Sequence, residues 1–272
     1  MVRRDGGTGR ILVRILLTND DGILAPGLAA MRRALLTLGE VSVVAPASPQ
    51  SAAAHGITVG GPIPVRELHV ADRFTGFAVE GRPADCVKLA ITTLLADRPD
   101  LVVSGINDGA NVSINVLYSG TVAAAAEGAL LGIPAVAVSL ERGPEMDFDR
   151  AAQIARQVIE RLLGSAASLR GGAAAGRIVP LVNMNIPALC PGVPRGVRVV
   201  RQSTQLMQDR YVSHAGPDGR RYFWLEGDFD ESTHQTATDL EALRQGYVTL
   251  TPLHFDLTHE EQLHWLREQQ WP

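Results

Sequence analysis

Two adjacent carboxylates, Asp20 and Asp21, follow a short run over residues 13–17 that is apolar apart from Arg14. Neighbouring carboxylates at the end of a buried strand repel each other, and they are costly beside an apolar core without a counter-charge. A hard divalent cation resolves that cost, and all-oxygen ligands suit Mg²⁺ or Mn²⁺. The alternative is an Asx turn or a helix cap. Capping explains one carboxylate poorly and both not at all, because the next predicted helix begins only at Gly27.

Two further loops offer oxygen atoms. Ser48 and Ser51 lie in the polar loop after the second predicted strand, and the sequence does not choose between them. Asn107 and Asn111 follow the strand predicted over residues 101–104, although Asn is also frequent in turns for conformational reasons. Because loops that follow parallel strands meet at one edge of a sheet, we expect these side chains near the paired aspartates.

A fourth loop, Ser119-Gly120-Thr121, opens an alanine-rich helix. Free N–H groups, hydroxyls and the positive end of the helix dipole converge there, which makes a seat for phosphate. The alternative is ordinary helix capping by Ser or Thr. Oxygen ligands for a cation beside an anion seat favour phosphoryl transfer, in which a metal polarises the phosphate and lowers the pKa of a bound water.

The elements that must position these loops alternate between strand-length apolar runs and helical patterns. Predicted strands cover residues 13–17, 41–45, 77–80, 101–104, 134–139, 178–185 and 196–201, and predicted helices cover 27–38, 83–97, 121–131, 147–163 and 260–268. The alternation predicts right-handed βαβ units and an α/β fold with a Rossmann-like, doubly wound, mostly parallel sheet.

The chain divides into a leader and one domain. Residues 1–12 are predicted to precede the fold without regular structure, and residues 13–272 form a single α/β domain. Within it, residues 202–230 are predicted to project as an arm. Polar and aromatic residues surround a Pro217-Asp218-Gly219 turn in this stretch, which is typical of a β-hairpin.

Composition narrows the class of protein. A net charge of −4 over 272 residues does not support a groove for duplex nucleic acid. The most apolar stretch, residues 122–138, contains Glu127 and Pro134 and is too short to cross a bilayer. Two widely separated cysteines and the lack of a signal-peptide pattern predict a cytoplasmic protein with no membrane partner.

Several ordered motifs resemble those of one family. They read ILLTNDDG, APASPQS, VEGRPADCVKLA, PDLVVSGINDGANV and LYSGTVAAAAEGALLGIPAVAVS, followed by NMNIP and GYVTLTPL. Together they are similar to the SurE family of survival-protein phosphatases over nearly all of the chain after residue 12. The resemblance implies a metal-dependent phosphomonoesterase that acts on nucleoside 5′-monophosphates. It also implies activity on 3′-monophosphates and on short polyphosphate, which members of the family hydrolyse.

The resemblance also implies site residues and partners. One divalent cation per subunit, Mg²⁺ or Mn²⁺, would be held by Asp20, Asp21, Ser51 and Asn107, and the two aspartates would be catalytic. The phosphate-binding positions would be Asn111, Ser119, Gly120 and Thr121. Family members are homodimers or homotetramers that exchange C-terminal segments, which suits the projecting arm and the terminal helix.

Some assignments stay open at this point. His55 is either a proton donor to the leaving nucleoside or a structural hydrogen-bonding residue. Asp108 is either a further carboxylate near the metal or a turn residue. Arg82, where the family commonly has threonine, is interpreted as a surface substitution, and Asp85 and Lys88 as capping and surface charge.

Two other functions compete with the metal-dependent hydrolase. In the first, Asp20 is the covalent nucleophile of an aspartyl-phosphate phosphatase, although such enzymes resemble a strand followed by two aspartates with one residue between them. In the second, the chain is a non-catalytic nucleotide-sensing module on a Rossmann-like core. The first loop lacks the G-x-G-x-x-G pattern that seats a dinucleotide, which counts against this second function.

Overall fold

The computed structural model describes residues 13–70, 74–166, 180–189, 192–233 and 235–271. The predicted leader, residues 1–12, and Cys190 lie outside the described residues. The division into a leader, one domain and an arm stays a prediction.

The architecture is a mixed, mostly parallel sheet of nine strands in the order β3-β4-β2-β1-β5-β6-β7-β11-β8. A separate two-stranded sheet pairs β9 with β10. The strands are β1 Val13–Thr18, β2 Gly39–Pro46, β3 Val65–Val70, β4 Phe74–Val79, β5 Leu101–Asp108, β6 Ala135–Leu140, β7 Leu181–Ile186, β8 Val197–Val199, β9 Arg210–Ala215, β10 Arg221–Glu226 and β11 Val248–Leu253.

The six central strands from β4 to β7 all run parallel. Antiparallel strands flank this parallel core, with β3 beside β4 and β11 beside β7. From β1 the chain first builds outward through β2 and β4, and it then returns to place β5 on the other side of β1. The carboxyl ends of β1 and β5 therefore border the switch point of the topology, where open α/β sheets bind their ligands.

Helices cover both faces of the sheet. They are α1 Pro26–Leu35, α2 Pro83–Leu89, α3 Gly120–Leu130, α4 Phe148–Ala166, α5 Asp239–Arg244 and α6 Glu260–Arg267. The α1 helix packs against α4, and α2 packs against α3. Two apolar clusters, one containing residues of α1 and α4 and the other residues of α2 and α3, enclose the sheet. This arrangement confirms the predicted doubly wound α/β class.

Several boundaries differ from the sequence prediction. The helix predicted over residues 83–97 ends as α helix at Leu89, continues as one π turn over Ala90–Leu94, and stops where Leu95 becomes extended. The β3, α5 and β11 elements have no counterpart in the prediction. The β3 strand is an edge strand with exposed Arg66 and Glu67, so it carries no continuous apolar signal.

The predicted hairpin is present. The β9 and β10 strands pair antiparallel, with Arg210 opposite Glu226 and Ala215 opposite Arg221. Tyr211, Phe223 and Trp224 on this hairpin are more than half exposed. None of the helices in the described ranges combines the length and apolarity needed to cross a membrane.

Candidate functional site

A tight turn at the end of β1 presents the paired aspartates. The buried Asn19 side chain holds this turn, since its Nδ2 donates to the Gly22 carbonyl at 3.0 Å and its Oδ1 accepts from the Gly22 N–H at 3.2 Å. Gly22 has φ +97°, a conformation that L side chains rarely adopt. The turn thus places Asp20 and Asp21 at the switch point of the sheet as the topology predicts.

Asp20 is buried, with 6% of its surface exposed, and two other segments contact it. Its carboxylate Oδ1 accepts a hydrogen bond from the Thr121 hydroxyl at the start of α3. Its backbone carbonyl accepts from the Gln50 N–H at 2.7 Å. Burial raises the pKa of Asp20 to about 6, the Thr121 hydrogen bond opposes that rise, and the negative charge of Asp21 adds to it. Such a carboxylate is poised to accept either a cation or a proton near neutral pH.

Asp21 is joined to the end of β5. Its Oδ2 accepts from the backbone N–H of Asp108 at 3.1 Å. Burial raises the pKa of Asp21, while the hydrogen bond from Asp108 lowers it. The Asp108 carboxylate pairs with Arg142 Nε at 2.9 Å. Asp108 therefore supports Asp21 through its backbone and directs its carboxylate to an arginine, which favours a turn role.

Asn107 is displaced from regular strand geometry. The register between β5 and β6 shifts between Ser104 and Asn107, an irregularity of the kind that re-aims side chains beside functional sites. Asn107 Nδ2 donates to the Gly109 carbonyl at 2.7 Å. This bond uses the amide nitrogen, so the amide oxygen of Asn107 can bind a cation.

Ser51 stands on the loop between β2 and β3, directly after Gln50 and its contact with Asp20. It is exposed. Ser48 is also exposed, and its backbone lies against the Gly22 turn, 3.4 Å from where a Cβ on that glycine would lie. Both serines therefore border the aspartate turn.

The first turn of α3 makes the closest approach to Asp20. A Cβ on Gly120 would lie 2.9 Å from Asp20 Cβ and 3.0 Å from Asp20 Oδ2, so only glycine lets the helix come this near. Ser119 is the N-cap of α3, and its Oγ accepts from the Val122 N–H at 3.1 Å. Capping is thus one role of Ser119, and its hydroxyl hydrogen is left to donate.

A buried network of amide side chains fixes Asn111. The backbone N–H of Asn111 donates to Asn185 Oδ1 at 2.7 Å, and its carbonyl accepts from Asn183 Nδ2 at 2.8 Å. Asn111 Nδ2 donates to Ser139 Oγ at 2.9 Å. Asn183, Asn185 and Ser139 were not among the predicted site residues, although the two asparagines belong to the motif NMNIP. The available signal was polar Asn at alternate positions of a predicted buried strand.

A cavity of ≈ 540 Å³ lies beside the loop that carries the two serines. Its polar lining includes Ser48, Gln50, Arg66 and Arg82. Arg82 is exposed, as a surface substitution would be, and its guanidinium lies over Gly56, where a Cβ would be 1.7 Å from Nη1. A cavity of this size can take a small polar molecule next to the aspartate turn.

The donor set of the site is rich in oxygen but has few carboxylates. Within the ranges that the structure describes, no three His, Cys, Asp or Glu side chains are grouped to hold a metal ion. Two carboxylates completed by an amide oxygen and a hydroxyl fit a hard cation. Burial raises the pKa of both aspartates, and the hydrogen bonds and the Arg142 charge near them oppose this rise without cancelling it. Chemically, the arrangement can hold a cation between Asp20, Asp21 and an anion at α3.

Known proteins resemble this chain over most of its length. A family model described as Survival protein SurE matches residues 15–209. A curated protein of Rhodopirellula baltica, named 5′-nucleotidase SurE, is 48% identical over 252 residues, which cover 92% of this chain and 96% of that protein. The protein of the same name from Desulforudis audaxviator is 44% identical and covers 96% of this chain and 98% of its own length.

A solved structure shares the fold. The crystal structure of SurE protein from Aquifex aeolicus matches with a TM-score of 0.76 at 34% sequence identity. The match covers 94% of this chain and 100% of that chain. Fold and sequence therefore lead to the same group of proteins.

Proposed function

This chain belongs to the SurE family, and we propose that it is a metal-dependent phosphomonoesterase that hydrolyses nucleoside 5′-monophosphates to nucleoside and phosphate. The observation that carries this function is the pair of aspartates at the switch point, of which Asp20 is buried and Asp21 half-buried. The pair is contacted from the loops after β2 and β5 and from the start of α3. The same substrate class extends to 3′-monophosphates and short polyphosphate.

The metal site consists of Asp20, Asp21, Ser51 and Asn107, with one Mg²⁺ or Mn²⁺ per subunit. Hydrogen bonds join the segments that carry these four residues. Asp21 accepts from the backbone of Asp108, the residue after Asn107, and Asp20 accepts from the backbone of Gln50, the residue before Ser51. Carboxylate, amide and hydroxyl oxygens are the ligands that hard divalent cations prefer. When bound, the cation supplies Lewis-acid polarisation of a phosphate oxygen and activation of the attacking water.

The phosphate site consists of Asn111, Ser119, Gly120 and Thr121. The first N–H groups of α3 have no partner within the helix and carry the positive end of its dipole, so they favour an anion. The Ser119 hydroxyl hydrogen and the second amide hydrogen of Asn111 are further donors. These groups bind the non-bridging phosphate oxygens and stabilise their charge as it redistributes during phosphoryl transfer.

Asp20 and Asp21 are the catalytic residues. An ionised carboxylate beside the attacking water can accept its proton. The Thr121 hydroxyl donates to Asp20 Oδ1 and so fixes the orientation of the carboxylate next to the phosphate seat. A non-catalytic nucleotide sensor is not favoured, because the relatives are named 5′-nucleotidases. A covalent aspartyl-phosphate on Asp20 is not favoured, because the two aspartates are adjacent and not separated by one residue.

We further propose that the subunits form a homodimer or homotetramer in the cytoplasm, with the arm of residues 202–230 and the terminal helix as contacts. The exposed aromatic side chains of β9 and β10 support this assignment, since they have little core of their own to cover them. Light scattering of the intact chain and of a Phe223→Ser/Trp224→Ser variant measures the assembly. A smaller assembly in the variant is the expected result.

The function is tested by phosphate release from a panel of nucleoside monophosphates and short polyphosphates with each candidate metal. Excess chelator is expected to abolish release, and added Mn²⁺ or Mg²⁺ to restore it. Full activity in excess chelator would contradict the function. Tight nucleotide binding without phosphate release, across several metals, would support the sensing module instead.

A further inference from the structure

Glu127 is a buried charge that the proposed mechanism does not use. It is the sole charged residue of α3 and is 4% exposed. Its Oε1 accepts from Lys88 Nζ on α2 at 2.6 Å, and its Oε2 lies 3.0 Å from His55 Nε2. Lys88 is therefore a partner of a buried carboxylate as well as a surface charge. A buried ion pair adds little net stability, but removing one partner leaves an uncompensated buried charge and strongly destabilises the fold. Loss of either contact of Glu127 is therefore expected to destabilise this part of the protein.

His55 belongs to the loop that carries Ser51. Ala52 and Ala54 in this loop have φ values of +54° and +49°, in the left-handed region that non-glycine residues rarely occupy. The loop therefore does not hold its shape through local preference alone. Contacts with the rest of the protein must hold it in place.

Three kinds of anchor surround this strained stretch. Upstream, the Gln50 N–H donates to the Asp20 carbonyl at 2.7 Å, and within the stretch the Ala54 N–H donates to the Tyr118 carbonyl at 3.0 Å. Downstream, Asp85 at the start of α2 accepts from the Thr58 N–H at 2.9 Å and from its hydroxyl at 2.7 Å. Between these, the side chain of His55 ties the loop to Glu127.

We propose that Glu127 is a positioning residue for the metal site: through His55 it holds the loop on α2 and α3 so that the Ser51 hydroxyl is presented to Asp20 and Asp21. This inference rests on the proposed function. Glu127 lies seven positions along α3 from Gly120, or roughly 10 Å at 1.5 Å per residue, so it acts at a distance from the phosphate seat. The same contact assigns His55 to structure, because its Nε2 faces Glu127.

A matched pair of variants separates positioning from stability. His55→Phe and Lys88→Met each remove one partner of the buried Glu127 carboxylate, so both lower the thermal midpoint. Only His55→Phe also releases the loop that carries Ser51. Mn²⁺ binding is measured by calorimetry, and the Mn²⁺ concentration for half-maximal AMP hydrolysis is measured alongside it.

The expected result is a weakening of Mn²⁺ binding by about tenfold in His55→Phe, the size typical of residues that orient metal ligands, with Lys88→Met at the wild-type value. His55→Gln keeps a donor toward Glu127 and is expected to restore most of the affinity; it also serves if His55→Phe does not fold. A Glu127→Ala/His55→Phe double variant should bind Mn²⁺ no more weakly than His55→Phe alone, because both changes break the same link.

Equal shifts in His55→Phe and Lys88→Met would overturn the positioning role, since stability alone would then account for both. Wild-type Mn²⁺ affinity in His55→Phe would also overturn it. Failure of the proposed function looks different: the wild-type chain would then neither bind Mn²⁺ nor release phosphate.

Discussion

The Thr121 hydroxyl donates a hydrogen bond to the Asp20 carboxylate, which joins the end of β1 to the first turn of α3 across 101 positions of the sequence. This contact connects the two halves of the proposed site, the cation ligands and the phosphate seat. It also shows that α3 is placed against Asp20 by more than apolar packing.

Replacing Asp20 by Asn should stabilise the metal-free protein. Burial raises the pKa of Asp20 from 3.8 to about 6, so ionisation of this side chain destabilises the folded state. The free energy of unfolding is therefore unaffected by Asp20 near pH 4 and decreases as the pH rises through 6. Above pH 6 the free energy of unfolding of Asp20→Asn should therefore exceed that of the wild type by up to about 3 kcal/mol. Near pH 4 the two proteins should be equally stable. Denaturant melts at the two pH values measure this, with the exposed Asp97→Asn as control.

Activity at low pH should depend on the metal concentration. Protons and the cation compete for Asp20, so at limiting Mn²⁺ the rate is expected to fall as pH drops through about 6. Above the dissociation constant, each tenfold increase in Mn²⁺ should move this acid limb down by about one pH unit, as mass action requires. Profiles of kcat/KM at several Mn²⁺ concentrations measure the shift. An acid limb that stays fixed would contradict competition at this carboxylate.

Gly120→Ala should damage the site more than the fold. The added methyl group would lie 2.9 Å from Asp20 Cβ, and it must move either the aspartate or the helix. Because displacement of reacting groups by about 1 Å costs on the order of 100-fold in rate, we expect a loss of kcat of that size. Gly128→Ala on the same helix is the matched control, since its Cβ would lie 2.7 Å from Cγ2 of Val102 on β5, away from Asp20. Equal losses of kcat in the two variants would contradict displacement of Asp20 as the cause.

The choice between the two loop serines can be settled by a paired substitution. Ser51→Ala is expected to raise the Mn²⁺ concentration for half-maximal activity by about tenfold, an effect like that of other metal-orienting groups. Ser48→Ala should leave it unchanged, because the Ser48 backbone is what lies against the Gly22 turn. The opposite pattern would move the hydroxyl ligand to Ser48.

Sequence patterns predicted the parts of the fold that have strong local signals. The apolar run of β1, interrupted only by Arg14, and the helical spacing of Leu28, Met31 and Leu35 in α1 reflect burial that periodicity reports directly. The edge strand β3 was missed because half of its side chains face solvent. The β11 strand was missed too, and it contains Pro252, which weakens a strand pattern.

Only the part of the site that has a local sequence signal could be predicted. Asp20 and Asp21 stand out because two acids after a buried strand conflict with local preference. The contact between His55 and Glu127 spans 72 positions, and the bond between Asn111 and Asn185 spans 74. No local pattern encodes such pairings, since they arise only when the sheet brings the segments together.

Binding of Mn²⁺ to the metal-free chain, followed by calorimetry near neutral pH, tests the cation site at Asp20 and Asp21 most directly. Wild-type protein is predicted to bind one cation per chain, while Asp20→Asn and Asp21→Asn bind none and release no phosphate from AMP. Wild-type affinity for Mn²⁺ in both variants would contradict the account.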